Sequence, residues 1–180
     1  MAVPGRRQTG MRVAFMLSLF ALSALQSGPA EELPEFTGTT VAVWINSVPL
    51  KKADLRGKVV LLEVWAFDCR NCSRSTPWLN SLRQKFAGAE LIVIGVHTPE
   101  FEHEKDRQRL EKNMRKSGTR HAVMMDNDYA YWKRLNNRYW PAFYLADKEG
   151  LIRGVFIGET HAGDTQARTI ERQIAELLTR

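Results

Sequence analysis

The chain has 180 residues, 44% of them hydrophobic, with 26 lysines and arginines against 20 aspartates and glutamates. That size and apolar share fit one globular domain with one core. The formal charge of +6 overstates its basic character, because Arg6, Arg7 and Arg12 fall in a first thirty residues that hold no acid; the remaining 23 basic residues face 20 acids, leaving +3. Basic residues in the remainder, as between Glu102 and Lys116, are interleaved with acids in the manner of a solvated helix face, so nucleic-acid binding is not expected.

The first thirty residues carry those arginines, then the apolar run Val13 to Leu25, then the small residues Ser27, Gly28 and Ala30, the layout of a secretory leader. The run is shorter than the roughly 20 apolar residues of a comfortable membrane span, although a retained leader would tether the protein. A start at Met11 would give a leader of the same kind. The organisation expected is a signal peptide or membrane anchor over 1–30, a polar linker over 31–40 with Pro34 and Gly38, and one domain over 41–180.

Val41 to Ile45 reads as an added edge strand, and Pro49 to Leu55 as a turn with one helical turn. Val59 to Trp65 is a near-continuous apolar run rich in β-branched residues, the pattern of a strand covered on both faces. Glu63 interrupts it, and a carboxylate there is costly to bury. A helix follows over Arg70 to Ala87, with Cys72, Leu79, Leu82 and Phe86 near one face and Pro77 inside, where it removes a backbone bond. Leu91 to Val96 is a second buried strand, His97 to Glu104 a loop, and Lys105 to Ser117 a charged helix ended by Gly118. Ala122 to Met125 is a further strand and Tyr129 to Leu135 a short helix. Trp140-Pro141 introduces the strand Ala142 to Ala146, whose turn at Asp147 to Gly150 leads into Leu151 to Ile157. The last element is a helix over Asp164 to Leu178 with Asp164 as N-cap. Strands separated by helices predict a mostly parallel sheet with helices on its faces, and the late hairpin supplies an antiparallel edge.

Cys69 and Cys72 are the only cysteines, so an exported chain would lack a disulfide framework, and the one disulfide available closes a short loop of chemical rather than structural use. They stand at the start of a helix, where unpaired N–H groups and the helix dipole favour a thiolate. Thiolates perform disulfide exchange. Arg70 favours the charged form and Asp68 opposes it. The four histidines, at 97, 103, 121 and 161, have no paired spacing with the cysteines, so no metal centre is expected.

Glu63-Val-Trp-Ala-Phe-Asp-Cys69-Arg-Asn-Cys72, followed by Pro77 and, far downstream, by Trp140-Pro141, resembles the thioredoxin superfamily, and within it the exported TlpA-type branch. Gly95-Val-His-Thr-Pro-Glu-Phe, Asp126-Asn-Asp-Tyr-Ala and Asn137-Arg-Tyr-Trp-Pro-Ala are similar to the thioredoxin-like domain of DipZ-type proteins, here without the membrane portion to which that domain is fused. The resemblance spans Leu33 to Glu159. It implies a thioredoxin-like three-layer α/β/α sandwich: a mixed sheet with an antiparallel C-terminal hairpin and an added N-terminal strand. The function implied is a thiol-disulfide oxidoreductase of the cell envelope that acts on protein thiols and disulfides without a cofactor. The TlpA-type branch further implies a reductant kept reduced by a membrane electron donor. In roles carried over by resemblance, Cys69 attacks, Cys72 resolves, Glu63 takes and returns the proton of Cys72, and Pro141, in cis, with the Trp140 backbone receives an extended substrate. Glu63 reaching the strand edge and pairing with Lys58 or another base is the plain alternative. Trp65, Tyr139 and Trp140 could form an apolar rim or belong to the core, and His97 could sit behind the cysteines or fix a turn. Asp68 and Arg70-Asn71 depart from thioredoxin's usual Trp and Gly-Pro, which leaves the direction of electron flow open. A peroxide reductase and a non-enzymatic copper-handling protein are the competing functions, since copper(I) also prefers thiolates.

Overall fold

Strand β2 (Val59–Trp65) lies inside the sheet, and all seven of its residues are buried. The computed structural model describes Met1 and residues 31–180. The expected leader or anchor over 1–30 lies outside the described residues apart from Met1, and no helix among those described is long and apolar enough to cross a membrane.

Six strands in the order β1-β4-β3-β2-β5-β6 form the sheet. Parallel pairing joins β2 to β3 (Leu91–His97) and β3 to β4 (Ala122–Met125). The hairpin of β5 (Ala142–Ala146) and β6 (Ile152–Ile157) runs antiparallel beside β2, and β1 (Trp44–Ile45) runs antiparallel at the other edge. Side chains alternate across the sheet. Val60, Leu62 and Val64 pack with Leu33, Phe36, Trp44 and Tyr131, the last from helix α3 (Ala130–Arg134). Val59 and Leu61 pack on the other face with α1 (Arg70–Lys85) and α4 (Thr165–Leu178), and beside them Trp65 packs with Leu110 and Met114 of α2 (Arg107–Ser117). Burying each such large apolar side chain contributes about 1.5–3 kcal/mol, which fixes the register on both faces. The three layers are those expected.

Asp164 caps α4 by accepting the Ala167 N–H at 2.6 Å, as its position predicts. Gly118 ends α2 at φ 75°, a conformation glycine adopts without strain.

Two expectations need correction. Residues 31–40 are not a free linker: Leu33 and Phe36 are buried in the core, and Glu32 bridges to Leu151. Two anchoring side chains in a polar stretch are too few to register as a hydrophobic pattern. Of the expected strand Val41 to Ile45, only Trp44 and Ile45 pair with β4, while Val41–Val43 form a 3-10 turn. The Arg107 guanidinium holds this segment, donating to the carbonyls of Val41 (3.5 Å) and Ala42 (2.6 Å) in the turn and of Trp44 (2.9 Å) at the start of β1. Smaller shifts occur in the middle of the chain: β3 extends to His97, and α2 begins at Arg107 after a separate 3-10 turn over Glu102–Lys105, with Asp106 as its cap.

Candidate active site

Beyond β2 the chain turns at Phe67 and Asp68 and enters α1, and Cys69 is the N-cap of that helix. Its Sγ accepts the Cys72 N–H at 3.2 Å, so the sulfur occupies the place a capping oxygen usually takes. Cys69 and Cys72 form a disulfide with a Cα–Cα distance of 5.3 Å. The pair is asymmetric: Cys69 retains 7% exposure and Cys72 none. Along the following turn, Ser73, Ser75 and Thr76 donate their hydroxyls to the carbonyls of Arg70, Asn71 and Cys72. Such back-bonding bends helices, and Pro77 adds the loss of one donor.

Glu63 belongs to the α1 face by the alternation of β2, between the core under α1 and α4 and the cluster holding Trp65, Cys69 and Cys72. Its strand neighbours are Gly95 and Phe143. It is 3% exposed, and Oε1 has no hydrogen-bond partner among the described residues. Desolvation therefore governs its titration and pushes the carboxyl up to about 8. The alternative pairing with Lys58 does not occur, since the Lys58 ammonium binds Glu90 at 2.6 Å on the surface. Gly95 provides room here: a Cβ on it would lie 2.9 Å from Trp65 Nε1 and 3.3 Å from His121 Nε2, two buried nitrogens that, like Glu63 Oε1, have no hydrogen-bond partner among the described residues.

Two buried side chains hold the turn before Cys69. His97 Nε2 accepts the Phe67 N–H at 3.2 Å, which requires a neutral ring, and its ring lies 5.2 Å from that of Trp65 and 5.6 Å from that of Phe67. Burial pulls its pKa down to about 3. Of the two roles open for His97, the geometry shows the turn-fixing one. Glu104, which the sequence placed in a featureless loop, is fully buried and accepts three backbone N–H groups: Asp68 at 2.8 Å, Glu100 at 2.6 Å and Phe101 at 2.8 Å. Its only signal in sequence is its place three residues after Phe101, at the end of a turn it caps. Asp68 itself is exposed, with its carboxylate 2.5 Å from His103 Nε2.

From the far side of the chain, the Trp140–Pro141 peptide bond is cis and lies at the head of β5. The Trp140 indole packs on Trp132 at 4.3 Å and donates to the Thr98 carbonyl at 2.9 Å. Among the described residues the Trp140 main chain has no hydrogen-bond partner. Of the three candidate rim aromatics, Trp65 is core, Trp140 is half-buried and Tyr139 is exposed. The structure thus gathers Glu63, Cys69 and Cys72 on one face of the sheet. Trp140 reaches the same end through Thr98, whose N–H binds the Trp65 carbonyl at 2.9 Å.

Residues 29–155 match the model of the AhpC/TSA family. The chain is 39% identical to protein DipZ of Mycobacterium tuberculosis over 150 residues, 82% of this chain and about a fifth (21%) of that protein. It is 26% identical to the thiol-disulfide oxidoreductase YkuV of Bacillus subtilis over 148 residues, 82% of this chain and 95% of that protein. Among solved structures, a thioredoxin-like protein in the oxidized form superposes with a TM-score of 0.70 at 26% identity, covering 83% of this chain and 96% of that one. With the sheet order, the paired cysteines at the start of α1 and these likenesses together, the chain belongs to the AhpC/TSA family of the thioredoxin superfamily and is of the TlpA/DipZ type.

Proposed function

We propose that the protein is a thiol-disulfide oxidoreductase of the cell envelope that reduces disulfides in other proteins. The observation that carries this reading is the Cys69–Cys72 disulfide at a helix N-terminus, with Cys69 retaining 7% exposure and Cys72 none. Likeness to YkuV over nearly that protein's whole length supports the activity, and the leader-like residues 1–30 support export.

In the reduced protein the Cys69 thiolate, stabilised by the N–H groups of α1, attacks one sulfur of a substrate disulfide. A bond forms between Cys69 Sγ and that sulfur, and the other substrate sulfur leaves as a thiolate. Cys72 then gives its proton to the Glu63 carboxylate and attacks Cys69 Sγ. The mixed disulfide breaks, the second substrate sulfur leaves and takes up a proton, and two electrons have passed to the substrate. With Glu63 at about 8, about one carboxyl in ten is ionised at pH 7, which keeps a base available in a site that disfavours charge. The unpaired Trp140 main chain beside Pro141 offers an extended substrate sheet-like hydrogen bonds. A membrane electron donor would restore the dithiol.

Two measurements test this reading. Cys72→Ser should trap substrate proteins as mixed disulfides on Cys69, and failure to capture any would refute exchange. A reduction potential near about −270 mV would support a reductant, and one near about −120 mV would make the protein an oxidant. Peroxide consumption, or stoichiometric copper(I) binding without disulfide exchange, would instead favour the competing functions.

A further inference from the structure

Helix α2 carries its charges on two unlike faces. Arg107 pairs with Glu111 at 2.8 Å and Arg115 approaches the same carboxylate at 3.9 Å. Arg109, Lys112 and Lys116 are exposed and enter no ion pair among the described residues. Their spacing of three and four residues aligns them on a single face. That face forms one wall of a surface groove of about 560 Å³, whose other lining residues are Phe67, Asp68, His103 and Asn113.

The groove abuts the exchange centre, because Phe67 and Asp68 immediately precede Cys69. Its walls are tied together by the Asn113 side chain, which donates to the Phe67 carbonyl at 3.4 Å. Asp68, the one acid among the lining residues, is held by His103. This surface therefore combines Phe67, two positions before Cys69, with three cations that enter no ion pair among the described residues.

We propose that this groove recognises a segment of the substrate protein that carries several aspartates or glutamates next to its reactive cysteine. The inference rests on the oxidoreductase reading and supplies the substrate class that reading lacks. Carboxylates on such a segment would meet three cations that no internal partner neutralises, at the edge of water, where attraction acts chiefly on association and is screened by salt.

The test compares three disulfide-containing peptides of one backbone, whose cysteine is flanked by three glutamates, three glutamines or three lysines. The full-length reduced protein is mixed with each at low and high salt, and the second-order rate of peptide reduction is followed. The expected order is glutamate over glutamine over lysine, with the glutamate peptide about tenfold faster than the glutamine peptide at low salt. That ratio should collapse at high salt. The triple variant R109Q/K112Q/K116Q should bring the ratio near one, while R115Q, on the paired face of α2, should retain it. Equal rates for the glutamate and glutamine peptides, or a ratio that survives the triple substitution, would overturn the inference and leave the oxidoreductase reading standing. Absence of reduction with every peptide would overturn both.

Discussion

Replacing Glu63 by glutamine isolates the energetic consequence of placing a carboxyl inside β2. Desolvation moves this group from an ordinary 4.5 to about 8. Between those values the unfolded chain has released the proton and the folded chain holds it, so the unfolded state binds fewer protons and folding stability falls as pH rises. The slope is about −1.4 kcal/mol per pH unit, and over the whole interval the loss reaches about 5 kcal/mol. His97 and His121, drawn down by burial to about 3 and about 4, act with the opposite sign: below 6.5 the unfolded chain gains protons that these folded rings refuse, so stability falls toward acid. Both histidines are present in parent and variant, and their contribution cancels in the difference. Glu63→Gln should therefore be close to the parent in stability near pH 4.5 and more stable by several kcal/mol at pH 8. Urea unfolding of the oxidised proteins at pH 5, 6, 7 and 8, followed by tryptophan fluorescence, gives that difference directly. A difference that stays constant from pH 5 to pH 8 would refute the argument, since a carboxyl with an ordinary pKa produces no such slope.

Glu63→Gln should also slow release of substrate from the mixed disulfide while leaving the first attack by Cys69 nearly intact; stopped-flow resolution of the two steps checks this, and equal loss in both would point to a structural role. Glu104→Ala should cost about 3 kcal/mol or more in chemical denaturation, because it strands three amides that one carboxylate now serves. Gly95→Ala should destabilise by about 1–3 kcal/mol, its new methyl lying 2.9 Å from Trp65 Nε1 and 3.0 Å from Val123 Cγ2 inside a packed core. Arg107→Met keeps length and apolar stem but withdraws donors from three carbonyls, and should lower stability by about 2 kcal/mol and increase hydrogen exchange at Trp44 and Ile45.

Much of the site was readable in one dimension because its parts advertise themselves by contrast. Glu63 stands out as an acid in an apolar run, Cys69 and Cys72 as the only cysteines, and the cap Asp164 and stop Gly118 by residue type and place. What stayed hidden depends on partners distant in sequence. Glu104 looks like any acid of a charged loop, and its importance comes from an amide 36 positions earlier. Arg107 holds the segment at the edge strand from more than sixty residues away. Similarly, Arg109, Lys112 and Lys116 read as part of an alternating solvated face, because pairing on α2 is decided by which side each residue occupies rather than by local composition. Leu33 and Phe36 were missed for the opposite reason, being isolated anchors in a stretch whose average is polar.

The Glu104 carboxylate also bears on how the protein could be rebuilt. Because it serves amides at Asp68 and at Glu100 and Phe101, the segment leading into the cysteines and the loop after β3 are a single cassette, although thirty residues separate them. A new 67–72 motif grafted to change the redox character still finds this acceptor as long as position 68 keeps its backbone N–H, whereas a new 99–105 loop that lacks the acid at position 104 strands the Asp68 amide unless it brings its own buried acceptor. Exchanged together, the two segments carry their own fastening with them.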